Sequence, residues 1–205
     1  MEKVHNQNFI LTLVGYRRTG KDTLLKILNK EIENYEKWEV YSKNEHYNED
    51  IFNRKYTGIA LANSLKKRIC KLNSIKYIEE EKDIKNIKIG NNLYSFRDLC
   101  IEYAISNDPL IWIKKVLKII KKGGNENYII TDLRLLHELK MLENVDHISI
   151  RIFDGLKEIP NENIKSEHEL DFYCTDLLLL RNITLENFLI LFPQYSDFKN
   201  CIKFV

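Results

Sequence analysis

The stretch Gly15-Tyr16-Arg17-Arg18-Thr19-Gly20-Lys21-Asp22-Thr23 follows the apolar run Phe9–Val14 and precedes a helical pattern of Leu24, Leu25, Ile27 and Leu28. An apolar strand, then Gly-x4-Gly-Lys, then a helix is the arrangement of a phosphate-binding loop. Glycines let the backbone curl so that successive N–H groups point at phosphate oxygens. The helix N-terminus adds the positive end of its dipole, and Lys21 supplies a mobile charge. Two of the seven glycines in the chain fall here, which weighs against a plain surface turn. Gly15, Arg18, Thr19, Gly20, Lys21 and Thr23 are therefore candidates for binding a nucleotide's phosphates, although a solvent-pointing role suits Arg17 and Arg18 equally. Asp22 stands where the common form of the loop has Ser or Thr to hold Mg²⁺. A carboxylate there can bind the ion, reach it through a water, or accept a proton from a phosphoryl acceptor. As a first-turn acid it also suits the helix dipole, and the readings are compatible.

A second constellation, Thr131-Asp132-Leu133-Arg134, closes the apolar run Tyr128–Thr131. At a strand end beside the phosphate loop, Asp132 would hold a Mg²⁺-bound water. Arg134 would neutralise charge on a transferring phosphoryl group or clamp the acceptor. The plain alternative makes Asp132 a cap of the helix that follows and Arg134 a solvated residue on its first turn. Spacing leaves both open. Ser166-Glu-His-Glu169 reads as a capping box that accounts for Ser166 and Glu169, leaving Glu167 and His168 as lesser candidates for substrate contact. His137 and His147 read as structural.

Alternating elements must position these groups. Strands are expected at Phe9–Val14, Trp38–Tyr41, Tyr128–Thr131, His147–Phe153 and Leu177–Leu180. Helices are expected at Lys21–Ile32, Gly58–Leu72, Tyr94–Ile105, Leu110–Lys121, Leu133–Leu142 and Leu185–Phe192, with a short one from Ser166. Residues 43–55 read as irregular, Glu79–Lys88 as a solvated insertion, and Asp154–Lys165 as a polar, lid-like loop. The pattern implies an α/β fold with a mostly parallel sheet of about five strands, helices on both faces, and ligands at the carboxyl ends of the strands.

Length and composition agree with one domain over residues 1–205: 44 % hydrophobic residues and three prolines argue against disorder. With 32 basic and 30 acidic residues, the formal charge of +2 is too balanced for nucleic acid as the main partner. Cys70, Cys100, Cys174 and Cys201 are too scattered for a zinc site or a disulfide framework. The N-terminal residues lack the design of a signal peptide and no apolar run has membrane-spanning length, so a reducing, cytoplasmic setting without a membrane partner is expected. A homodimer is left open.

Across nearly the whole chain, and in the same order, these motifs resemble the phage-type deoxynucleoside monophosphate kinases. Animal-type phosphomevalonate kinases share the unusual Gly20-Lys21-Asp22. Ile59-Ala-Leu-Ala-Asn-Ser-Leu-Lys66 resembles the family's Phe-Ala-Asp-x-Leu-Lys helix start. Ser95-Phe-Arg97-Asp-Leu resembles its Arg-x-Leu helix, with Trp112 where a Trp follows. Thr131-Asp132-Leu-Arg134 with Glu138 is similar to its Thr-Asp-x-Arg-x-x-x-Glu. Ser166-Glu167 is similar to its Ser-Glu pair, and Asn182-Ile-Thr-Leu-Glu186 to its ending. The resemblance implies a P-loop kinase fold and transfer of the γ-phosphoryl of ATP, with Mg²⁺ at Asp22 and Asp132, to a small phosphorylated nucleotide. It implies acceptor contacts from Lys66, Arg97, Arg134 and Glu167, and places Asn182 near the adenine. The chain departs from the family over Ile101–Asn107, where the usual Gly-Thr and arginine are missing, and its lid-like loop has Lys157 and Lys165 in place of arginine. The first departure touches the acceptor side. It keeps two alternatives open: a kinase for another phosphorylated metabolite such as phosphomevalonate, and a nucleotide-binding regulatory protein without catalysis.

Overall fold

Ile10–Val14 forms β1, buried at every position and central to the parallel part of a seven-stranded sheet. The computed structural model describes residues 9–16, 18–33, 38–43, 49–78, 80–108, 110–124, 126–160 and 168–204. β3 (Thr57–Ile59), β6 (Tyr128–Ile130), β1, β7 (Ile148–Asp154) and β8 (Leu177–Arg181) lie side by side in that order, all parallel. The sheet is mixed beyond them: β2 (Trp38–Ser42) pairs antiparallel with β8, and β9 (Lys199–Phe204) antiparallel with β2. The α/β architecture and mostly parallel sheet agree with the sequence, whereas β3 and β9 were not legible in it.

Both faces of the sheet are covered, which is why its strands read as continuous apolar runs. Leu11 and Leu13 pack with Leu24 and Leu28 of α1 (Lys21–Leu28). Ile10 and Val14, on the opposite face, meet Ile113 and Val116 of α4 (Ile111–Lys122) and Leu139 of α5 (Leu136–Leu142). Phe153, Leu178 and Leu180 form a third cluster with Phe188 of α6 (Leu185–Leu191) and with Phe192 and Tyr195. A satellite cluster joins α2 (Leu61–Asn73) to α3 (Phe96–Ser106) through Ile69, Phe96 and Leu99.

Several boundaries move for identifiable reasons. α1 stops at Leu28, not Ile32, because Lys30 adopts φ 58° and its N–H turns back to the Ile27 carbonyl. The adjacent Asn29 side chain bonds both the N–H and the carbonyl of Tyr56, at 2.8 Å each. α2 starts at Leu61 because Thr57–Ile59 is drawn onto β6 as an edge strand. Glu79–Lys88 is not wholly a solvated insertion. Its end forms β4 (Ile87–Ile89), which pairs with β5 (Asn92–Tyr94) across a turn that Gly90 enters at φ 59°. α3 then opens with a reciprocal capping box between Ser95 and Asp98. Among the described residues no helix is long and apolar enough to cross a membrane.

Candidate functional site

Parallel strands end on one edge of the sheet, so the loops after β1, β6, β7 and β8 share one side. Between β1 and α1 the chain turns through Gly20, which caps the helix at φ 99°, ψ 18° without a side-chain hydrogen bond. A Cβ at Gly20 would lie 3.3 Å from the ring of the buried Trp38. Lys21, first in α1, is buried, and its Nζ donates to the carbonyls of Gly15 and Tyr16, both at 2.6 Å. Thr19 Oγ1 donates to the same Tyr16 carbonyl at 2.8 Å. The ammonium is thus held over the loop by carbonyl oxygens, and the first helical N–H to close a turn is that of Leu24, onto Gly20. The amides before it lie at the positive end of the helix. Arg18, at φ 65°, and Asp22 are exposed, and Thr23 is half-buried. Arg17 lies outside the described residues.

β6 brings the second constellation beside this loop. Thr12 of β1 is in register with Ile130, two residues before Asp132. Asp132 caps a helix, but not the one that follows it: its oxygens accept the N–H groups of Leu61 (2.6 Å) and Ala62 (2.9 Å) at the start of α2. Burial pushes its carboxyl upward, against those two hydrogen bonds and the charges of Arg134 and Lys21. Lys21 and Arg134 each therefore lie within electrostatic reach of Asp132. Arg134 is half-buried and precedes α5, because Glu138 accepts its N–H and that of Leu135, each at 3.0 Å. Glu138 is buried, and this raises its carboxyl to about 7, opposed by those two bonds and raised further by Asp132. The motif contained Glu138, yet sequence gave no hint that it would be a buried acid behind Arg134.

On the other flank, Asn182 follows β8 at φ 57° and donates through Nδ2 to Asp154 Oδ1 at 2.9 Å. Arg181 Nη2 reaches Asp154 Oδ2 at 2.6 Å, and its guanidinium lies 4.8 Å over the Trp38 ring. Burial would raise the Asp154 carboxyl. The hydrogen bonds from Asn182, Arg181 and the Leu156 N–H outweigh it and hold the group below its usual range. Trp38 therefore touches both the Gly20 turn and the β8–α6 junction, a tie between the loop and Asn182 that no local motif announces.

Of the candidates for the acceptor, Lys66 and Arg97 both lie near Cys100, whose thiol burial raises and their charges lower. Arg97 Nε is paired with Asp83 Oδ1 at 2.5 Å. Lys66 Nζ sits 4.3 Å over the Tyr77 ring, in an open cleft of about 700 Å³ that also holds Lys67 and Lys71 along α2. Lys66 is four residues past Ala62, about 6 Å along the helix from the amides that Asp132 binds. Glu167 and Ser166 lie outside the described residues, as do 161–165 of the lid-like loop, while Asp154 belongs to β7. The capping box expected between Ser166 and Glu169 falls partly outside the described residues, and Glu169 Oε1 accepts the N–H of Leu136 at 2.8 Å, 33 residues away in sequence.

The chain matches no protein-family model and no curated protein. Its function must be read from this edge of the sheet.

Proposed function

We propose that the chain is a P-loop kinase that transfers the γ-phosphoryl of ATP to a deoxynucleoside monophosphate. The observation that carries this reading is the Lys21 ammonium, folded onto the carbonyls of Gly15 and Tyr16 and within electrostatic reach of Asp132, which Arg134 also reaches. A phosphate oxygen entering the loop replaces those carbonyls as the acceptor for Lys21, and charge-assisted bonds of this kind are worth about 1.5–3 kcal/mol. First-turn amides of α1 add donors in the same direction. Arg134 neutralises the equatorial oxygens of the moving group, and the positioning of these charges supplies most of the rate.

Asp132 fits a role at Mg²⁺. Each of its oxygens takes one backbone N–H and keeps a lone pair. Among the described residues no three His, Cys, Asp or Glu side chains group to hold a metal by themselves. The ion would therefore take its remaining ligands from phosphate and water, its usual habit in such sites, and it supplies neutralisation of phosphate charge. Asp22, exposed on the first turn, is free to serve the ion or the acceptor's proton. Asn182 lies beyond β8, where the adenine end of the donor would rest.

The experiment is a coupled ADP-release assay against the four common deoxynucleoside monophosphates and a panel of non-nucleotide phosphates, phosphomevalonate included. Turnover with one nucleotide supports the reading, and turnover only with a non-nucleotide acceptor moves the substrate. One observation favours a second reading, a nucleotide-binding regulatory protein: Arg97, the acceptor-side arginine, is engaged by Asp83. Tight ATP binding with no transfer to any acceptor would establish that alternative.

A further inference from the structure

Tyr16 is held at both ends. Its carbonyl takes Lys21 and Thr19, while its hydroxyl donates to Asp171 Oδ2 at 2.9 Å, 155 residues along the chain. The same Asp171 oxygen lies 2.7 Å from His168 Nδ1, and the other is 3.7 Å from the buried Arg151 guanidinium of β7. His168 Nε2 is 2.9 Å from the carbonyl of Pro160, in the segment that leaves β7. The imidazole also packs on the Tyr16 ring, with centroids 5.4 Å apart.

These contacts dictate a protonation state. A carbonyl only accepts, so Nε2 must carry a hydrogen. Asp171 Oδ2 accepts the Tyr16 hydroxyl and its other oxygen faces Arg151, so it meets the ring as an acceptor and Nδ1 must donate as well. An imidazole with hydrogens on both nitrogens is an imidazolium. The groups facing it among the described residues are Asp171 on its own segment, Tyr16 after β1, the Pro160 carbonyl after β7, and Arg151 behind Asp171. Loss of one proton leaves a single N–H. The anionic Asp171 is the stronger acceptor and retains it, so a nitrogen lone pair then faces the Pro160 carbonyl.

We propose that protonated His168 straps the 155–160 segment, through Asp171, to Tyr16 of the β1–α1 loop, so that the two loops flanking the candidate donor site are joined in acid and part as the imidazolium loses its proton. The strap rests on the proposed nucleotide site for its use: Asn182 packs against Gly155, where a Cβ would lie 2.3 Å from the Asn182 carbonyl. Holding 155–160 toward Tyr16 thus narrows the space between Lys21 and Asn182. Affinity for the nucleotide falls as the imidazolium loses its proton.

The test is a pH titration of isotopically labelled, full-length chain by NMR between pH 5.5 and 8.5, without ligand and with Mg·ADP. In the wild type the amides of Leu156, Lys157 and Ile159 should shift along one curve with the His168 ring signals, and the Thr19 amide should follow. His168→Gln, which removes the titrating ring, should leave 156–159 in one position across the whole pH range. Tyr16→Phe should leave His168 and 156–159 titrating together while Thr19 stops responding. Mg·ADP affinity should fall between pH 5.5 and 8 by about 2–10-fold more in the wild type than in His168→Gln, the worth of one hydrogen bond. That comparison cancels the nucleotide's own titration. Signals at 156–159 that ignore His168 overturn the strap whether or not nucleotide binds. Coupled loop signals with no Mg·ADP binding at any pH uphold the strap and instead reject the nucleotide reading.

Discussion

Replacing Glu138 by glutamine should make the protein more stable at neutral and alkaline pH, and by an amount the structure sets. Glu138 is 8 % exposed and one oxygen, Oε2, accepts both amides that precede α5. A glutamine carbonyl oxygen in that place accepts the same two N–H groups, so the cap survives. What disappears is the charge. Burial raises the carboxyl from 4.5 to about 7 in the folded chain, so the folded state prefers the protonated acid. The wild type therefore keeps its full stability below pH 4.5 and loses it progressively as pH rises to about 7. Two and a half pH units at about 1.36 kcal/mol each amount to about 3 kcal/mol. In a domain of this length 1 kcal/mol moves the melting temperature by about 2–4 °C, so the full effect is about 6–12 °C. Calorimetric melting of wild type and Glu138→Gln at pH 4.5 and pH 8.5 provides the assay. The difference in Tm between the two proteins should widen by that amount at the higher pH, in favour of the variant. A difference that does not change with pH would refute the burial argument.

Three further substitutions bear on the site. Asp22→Asn should slow transfer by about 10²–10⁴ if the carboxylate serves the ion or the acceptor proton; unchanged turnover with a stability loss of about 0.3–1 kcal/mol would reduce it to a dipole acid. Arg134→Lys keeps the charge but not the two-pronged geometry, so steady-state rates at saturating ATP should drop severely while the Tm holds, and normal kinetics would remove Arg134 from the site. Gly20→Ala should cost about 1–3 kcal/mol, because its φ of 99° and the Trp38 ring at 3.3 Å both oppose a methyl group, and an unchanged melting curve would contradict the turn geometry.

The sequence reveals what is local. A strand, two glycines, a lysine and an amphipathic helix are contiguous, so the β1–α1 loop could be placed without knowing the rest of the chain. Asp132 was legible as a strand-end acid, but its partners, Leu61 and Ala62, lie some 70 residues earlier, and no spacing rule joins them. Arg97 illustrates the opposite failure: its helix was correctly expected, but Asp83, in the stretch read as a solvated insertion, takes its guanidinium. The Gly90-Asn91 pair is a two-residue hairpin signal that the surrounding lysines and acids obscured. β9, Lys-Asn-Cys-Ile-Lys-Phe, carries only a weak alternation and becomes a strand because β2 offers an open edge. The role of Trp38, closing on Gly20 and stacked with Arg181, belongs wholly to tertiary packing.

The central claim is that the β1–α1 loop, through Lys21, holds the phosphates of a nucleotide. Isothermal titration of Mg·ATP into wild type and into Lys21→Ala, with folding of both checked by circular dichroism, tests it most directly. One saturable site per chain is expected in the wild type. In the variant, the loss of two or more charge-assisted hydrogen bonds should weaken binding by about 10²-fold or more. A folded Lys21→Ala protein that binds Mg·ATP as tightly as the wild type, or a wild type that binds none, would contradict it.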